Sequence, residues 1–214
     1  LSNENAVTFD GSSGFESGDV GGGAFPSTAN VALTYEVFFN ANSLTNSIDA
    51  FGGIWGGSGD KTFIAGVTDS NNKLRFVLRG EDSGGNQSNE GVTFTSHPSI
   101  ETGKDYAVAF VVDGPSPNNV TAYLQNLTDG GALQSITGSA DTASFNDHNT
   151  AFQIGSVVDS GPTNFDGLID EVRVSSSALS ESELLVSVPE PSTYALLGGL
   201  LTFGFVAVRR RVRS

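Results

Sequence analysis

The chain has 214 residues, with 24 acidic side chains against 10 basic ones and a formal net charge of −14. Cysteine is absent, which excludes disulfides, thiol catalysis and cysteine-ligated zinc. The acidic balance speaks against nucleic acid and anionic membrane surfaces as partners, and it allows divalent cations.

Residues 6–9 form a short apolar run closed by Asp10-Gly11, which predicts a strand ended by a turn. Residues 14–29, rich in Gly, Ser and Asp, are expected to be loop. Residues 31–39 make the first long strand. Val31, Leu33, Tyr35, Val37 and Phe39 fall on one face, and Thr34, Glu36 and Asn40 on the other. Short strands are predicted at 51–55, 62–68 and 74–78. Between the last two lies Asp69-Ser70-Asn71-Asn72-Lys73, where Lys73 and the missing Gly and Glu break a calcium-loop pattern and leave a hairpin turn. Residues 80–90 form a polar loop and 92–95 a strand. The pair 105–112 and 120–127 follows, with Val120, Ala122 and Leu124 alternating against Thr121, Tyr123 and Gln125. Strands at 151–157 and 165–174 complete the set. With 27 glycines and no helical period between these segments, the reading is an all-β, antiparallel β-sandwich. One short helix is expected where Ser180 and Glu183 make a capping box ahead of Leu184, Leu185 and Val186.

The last 27 residues differ in kind. Pro189-Glu190-Pro191 is a stiff break, 194–208 carry no charge, and Arg209, Arg210, Arg211 and Arg213 form a basic stop. A run of about 15 residues spans roughly 22 Å as a helix, the short limit for crossing a membrane. The arginines are expected to stay cytoplasmic, which places the preceding chain on the far side. A buried core helix is the other reading, but such a helix rarely lacks a polar face over its whole length. Without the tail, 187 residues remain with a net charge near −17, enough for one well-buried domain. Methionine is absent, and the expectation is that an N-terminal signal peptide has been removed or left out.

Pro189-Glu190-Pro191, an apolar helix and an arginine cluster, in that order, resemble the PEP-CTERM sorting signal of Gram-negative bacteria. The resemblance implies an exosortase as partner, a helix that anchors transiently in the inner membrane before cleavage, and delivery to the cell surface or extracellular matrix. The body, 1–187, resembles a LamG-like, concanavalin A-like jelly roll. The residues that carry this are Val7-Thr8-Phe9-Asp10-Gly11, Leu33-Thr34-Tyr35-Glu36-Val37-Phe38-Phe39, Gly103-Lys104-Asp105-Tyr106-Ala107-Val108-Ala109 and Val120-Thr121-Ala122-Tyr123-Leu124. The most specific is Phe165-Asp166-Gly167-Leu168-Ile169-Asp170-Glu171-Val172-Arg173-Val174, followed by Ala178-Leu179-Ser180. The chain departs from the family at Phe38-Phe39 and Asp105-Tyr106, where tryptophan is common. The resemblance implies binding of glycans or proteins, often with calcium.

Candidate site residues follow from the strand patterns. Asp170 shares a phase with Leu168, Val172 and Val174, an apolar set in which a bare carboxylate is costly. It either bonds loop backbone or ligates Ca²⁺ together with Asp10 or Asp166. Glu171 and Arg173 share the other phase and could pair. Asp170 and Glu171 point to opposite faces, so they cannot flank one glycosidic bond at the required ~5–9 Å. No Glu-x-Asp-x-x-Glu strand of the related glycosidases occurs. Catalysis is therefore not expected. Trp55, Tyr106 and Tyr123 either stack on a sugar or belong to the core. His97 and His148 lie in polar loops and are expected at the surface. In Gly59-Asp60-Lys61-Thr62 an acid replaces the glycine of a phosphate loop. The expected function is an exported, non-enzymatic protein that binds polysaccharide or matrix components. The alternatives are a structural matrix protein and a polysaccharide-cleaving enzyme.

Overall fold

Side chains that point alternately to two faces build strands, and short apolar or alternating runs recur along this chain. The computed structural model describes residues 6–19, 31–56, 61–68, 71–114, 116–145, 151–157 and 163–187. The strands are β1 (Val7–Asp10), β2 (Phe15–Asp19), β3 (Leu33–Ser43), β4 (Asp49–Trp55), β5 (Lys61–Thr68), β6 (Lys73–Glu81) and β7 (Gln87–Thr93). They continue with β8 (Asp105–Val112), β9 (Asn118–Asn126), β10 (Gln134–Ala140), β11 (Ser144–Phe145), β12 (Ala151–Ile154) and β13 (Asp166–Ser175). One sheet has the order β1-β13-β3-β8-β9-β10, and the other β11-β6-β5-β4-β12-β2, with β7 also paired to β6. All the pairings are antiparallel.

The inner faces meet through aromatic contacts. Tyr35 and Phe39 of β3 lie against Phe63 and Phe51 with ring centroids 5.7 and 4.3 Å apart, and Phe110 of β8 stacks on Phe76 of β6 at 4.9 Å. The phase expected for β3 is the one found: Leu33, Tyr35, Val37 and Phe39 are fully buried in this core. A smaller cluster of Ile48, Ala50, Trp55, Ile64, Val77 and Val157 forms a second buried group.

Three strands lie where only loop or nothing was expected. β2, Phe-Glu-Ser-Gly-Asp, falls inside the expected 14–29 loop, β10, Gln-Ser-Ile-Thr-Gly-Ser-Ala, carries too few apolar residues to announce itself, and β11, Ser-Phe, has only two residues. All three end a sheet. An edge strand needs only one row of backbone hydrogen bonds, so a polar sequence suffices. The expected 80–90 loop contracts to a turn in which Asp82 Oδ1 accepts from the Gly84 and Asn86 amides, both at 2.8 Å. β7 starts directly after it, at Gln87.

The last strand corrects the phase assigned to Asp170. Asp170 opposes Phe38 and Arg173 opposes Glu36, so Glu171 and Val172 together face Val37 in a β-bulge. Glu171 sits at φ +50°. The extra residue inverts the alternation: Ile169 packs in the core before it, and Val172 and Val174 pack against the core after it. Asp170 therefore shares the outer phase with Leu168 and Arg173 rather than the phase of Val172. Arg173 pairs with Glu36, not Glu171.

The chain divides into two units, Leu1–Leu179 and Ser180–Ser214. In the second, Ser180 N donates to Glu183 Oε2 at 2.8 Å and Ser180 Oγ to the same oxygen at 2.6 Å. The capping residues thus act as expected. They close a three-residue 3-10 turn, Glu181–Glu183, instead of starting an α-helix, because Leu184 is extended at ψ 146°. A second such turn spans Leu185–Ser187. Among the described residues, no helix is long and apolar enough to cross a membrane. The sorting segment 188–214 and His148 lie outside the described residues.

Candidate functional site

A pocket of 270 Å³ opens between the β7–β8 loop and the β9–β10 turn. Tyr106 at the start of β8 and Leu124 near the end of β9 line it, and both belong to the core. Ser99, Glu101, Asn126, Asp129 and Gln134 supply its polar lining.

Lys104 ties the two walls together. Its Nζ lies 3.1 Å from Glu101 Oε2 and 2.8 Å from Asp129 Oδ2. The ammonium's hydrogen bond holds the Asp129 carboxyl below its ordinary range, and the same contacts push Lys104 up. Asn126 and Asp129 brace the turn reciprocally: Asn126 Nδ2 donates to Asp129 Oδ2 at 2.8 Å, and the Asp129 amide donates to Asn126 Oδ1 at 2.9 Å. Tyr106 is 3% exposed, its ring stacked on Phe39 at 5.4 Å. Its phenol oxygen accepts from the Glu101 amide at 3.1 Å, and burial pushes the phenol pKa up. The pocket thus offers carboxylate acceptors and two-way amides around an apolar floor, which suits hydroxyl-rich ligands.

His97, expected at the surface, is 1% exposed. Phe94 and Ile100, both buried, anchor its loop at either side, and that apolar spacing was the signal available in the sequence. His97 Nε2 lies 2.9 Å from the Ala122 carbonyl, and Lys73 Nζ donates to the His97 carbonyl at 2.6 Å. Burial, with the Lys73 charge as a lesser contribution, lowers the imidazole pKa.

The other expected site residues are dispersed. Trp55 is 4% exposed in the smaller buried cluster and presents no ring face to solvent. Tyr123 is half-buried on the outer face of the first sheet, opposite Ala109 and Ser135. Asp10 and Asp166 are direct partners across β1 and β13. Asp10 Oδ1 accepts from Ser12 N at 3.0 Å and Ser12 Oγ at 2.6 Å, which lowers its pKa, and Asp166 Oδ1 accepts from Asn42 Nδ2 at 3.1 Å. Asp170 lies four residues further along the strand, about 13 Å from Asp166 at strand rise. One ion cannot span all three. Among the described residues, no three acidic or histidine side chains group as a metal site.

Residues 9–185 match the family of the concanavalin A-like lectin/glucanases superfamily. The chain belongs to that superfamily. Residues 187–211 match the PEP-CTERM protein-sorting motif, so this concanavalin A-like protein is an exported one that carries the signal for exosortase-dependent sorting. No curated protein matches the chain. Among solved structures, this concanavalin A-like fold is similar to the CBM40 of Ruminococcus gnavus IT-sialidase, solved bound to α2,3-sialyllactose. The TM-score is 0.51 at 18% identity, over 82% of this chain and 96% of that one. It is also similar to the leech intramolecular trans-sialidase, with a TM-score of 0.53 at 18% identity, over 86% of this chain and 27% of that one. The enzymatically active domain of tailspike protein 2 from bacteriophage CBA120 gives 0.51 at 15% identity, over 87% and 31%. The chain therefore spans less than a third of these last two proteins. At such identities the likeness is one of fold.

Proposed function

We propose that this exported protein binds polysaccharide through the pocket between the β7–β8 loop and the β9–β10 turn, without cleaving it. The observation that carries the reading is the ring of Glu101, Asn126, Asp129 and Gln134 around the buried Tyr106. Carboxylates accept from sugar hydroxyls while amides both donate and accept. The two loops that hold these groups are already cross-linked by Lys104, so little ordering is needed on binding. The CBM40 fold, nearly all of which this chain covers, is itself solved with a sugar ligand.

The test is a polysaccharide panel bound to the full chain in detergent, with calcium and with chelator, while polymer length is followed. The expected result is binding without shortening, weakened at least fivefold by Gln134→Ala and by Glu101→Gln. Binding that ignores both substitutions, or no binding to any polymer, overturns the reading. Loss of binding in chelator would assign calcium to the Asp10–Asp166 pair if Asp166→Asn reproduces it.

A second reading has one observation in its favour: Glu101 and Asp129 are two carboxylates in one pocket. A cleaving pair needs one carboxyl kept protonated near neutral pH. The shared Lys104 ammonium works against that for Asp129. Shortening of the polymer, abolished by Glu101→Gln, would move the assignment to a glycan-cleaving enzyme.

A further inference from the structure

The outer face of the second sheet carries Arg75, Val77 and Arg79 in a row on β6, because Leu74, Phe76 and Leu78 between them point into the core. Their partners across on β7 are Thr93, Gly91 and Asn89. Gly91 leaves room that the Arg75 head group fills. A Cβ there would lie 2.7 Å from an Arg75 terminal nitrogen and 3.3 Å from its Cζ. Since Gly91 is the partner of Val77, the Arg75 guanidinium leans along the strand toward Arg79.

The other basic side chains whose contacts the structure describes are engaged elsewhere. Arg173 pairs with Glu36, Lys104 with Glu101 and Asp129, and Lys73 donates to the His97 carbonyl. Among the described residues, neither Arg75 nor Arg79 has a carboxylate at ion-pair distance, and Arg79 Nε is buried without a hydrogen-bond partner. Glu81, next on the same face, forms no ion pair with Arg79. A desolvated charged donor is costly. In a chain with 24 acids and 10 bases, composition does not force this arrangement.

We propose that Arg75 and Arg79 recognise the carboxylate of an acidic sugar that lies across β6 and β7. The planar guanidinium fork matches a carboxylate with two parallel hydrogen bonds. Thr93 and Asn89 flank the row on β7 and supply a hydroxyl and an amide for ring hydroxyls. This site is on a different sheet from Tyr106 and does not depend on the pocket.

The test is affinity electrophoresis of the full chain in detergent through polygalacturonate, alginate or hyaluronan, each beside its carboxyl-reduced form. At least one acidic polymer should retard the protein, at least tenfold more strongly than its reduced form. Arg75→Gln and Arg79→Gln should each weaken that retardation at least fivefold, and Arg79→Lys should not restore it, because a lysine keeps the charge without the fork. Gly91→Ala should weaken it as well, by displacing the Arg75 head group. Melting curves identify any variant that fails to fold, and Gly91→Ala then substitutes for it. The proposal is overturned if no acidic polymer retards the chain, if the reduced form retards it equally, if dextran sulfate retards it as strongly, or if the arginine variants behave as wild type. Binding of reduced polymers reads the pocket separately, so either site can fail alone.

Discussion

Arg173 on β13 donates its Nε–H to the Glu36 carboxylate on β3, directly across the strand pair. The side chain of Glu36 is 2% exposed and that of Arg173 35%. The acid is thus buried beneath its partner on the outer face of the first sheet, and the base reaches it from a half-open position. Removing the base should deprive the buried acid of this ion pair. Arg173→Ala should cost about 2 kcal/mol, below the ~3–5 kcal/mol typical of a fully buried pair because Arg173 is partly solvated. Adding Glu36→Gln to Arg173→Ala should recover part of that loss in a urea-denaturation cycle. A double-variant loss equal to the sum of the Arg173→Ala and Glu36→Gln losses would show that the ion pair contributes nothing.

The bulge beside that pair stores strain. Glu171 is exposed and holds φ +50°, a conformation that costs a non-glycine residue about 1–2 kcal/mol. Glu171→Gly should raise stability by roughly 0.5–1 kcal/mol, offset in part by the added freedom of the unfolded chain. Glu171→Val should lower it, since a β-branched side chain tolerates this region least. Thermal melts of the two variants should therefore move in opposite directions.

Gly155 has the opposite problem. Its φ is +76°, and a Cβ would stand 2.1 Å from the Phe9 ring, so both backbone and packing require glycine. Gly155→Ala should destabilise the fold by more than 2 kcal/mol, through strain and the displacement of Phe9 from the core. Gly103, at φ +76° with nothing near its Cβ position, is the control: Gly103→Ala should cost only the backbone term, about 1 kcal/mol.

His97 gives a pH dependence. Burial lowers its folded pKa below the ordinary 6.5, so the unfolded chain takes up a proton first as pH falls. Stability is then greatest above about 6.5, begins to drop as pH passes below that value, and stops dropping once the folded imidazole is protonated. The loss should be absent in His97→Gln. An NMR titration of the His97 ring should place its midpoint below that of a free histidine, and a midpoint at or above 6.5 would contradict this account.

Strands with a buried face were legible in the sequence because burial enforces alternation. The 105–112 segment coincides with β8, and the phases of β3 and β9 are those expected. β2, β10 and β11 were not legible, since these edge strands are polar or very short and backbone bonds suffice to hold them. The bulge at Glu171 was also hidden: a two-residue period read straight through it places Asp170 on the wrong face. Tyr106 was singled out and lines the pocket. Its partners Glu101, Asn126, Asp129 and Gln134 come from separate loops and strands that the topology brings together. Nor could Arg75 be distinguished from ordinary surface charge before the fold put Gly91 beside its head group.

The pairing of the first strand with the last has a bearing on how the molecule is made. β13 lies between β1 and β3, so β1 has no neighbour in its sheet until β13 arrives. Val7 must wait for Ile169, across more than 160 residues of chain. A chain that emerges end-first cannot finish this sheet until residue 175 is through. Non-local closure of this kind is slow. The first sheet is therefore closed by its last strand, and only then does Val7 gain its place beside Ile169.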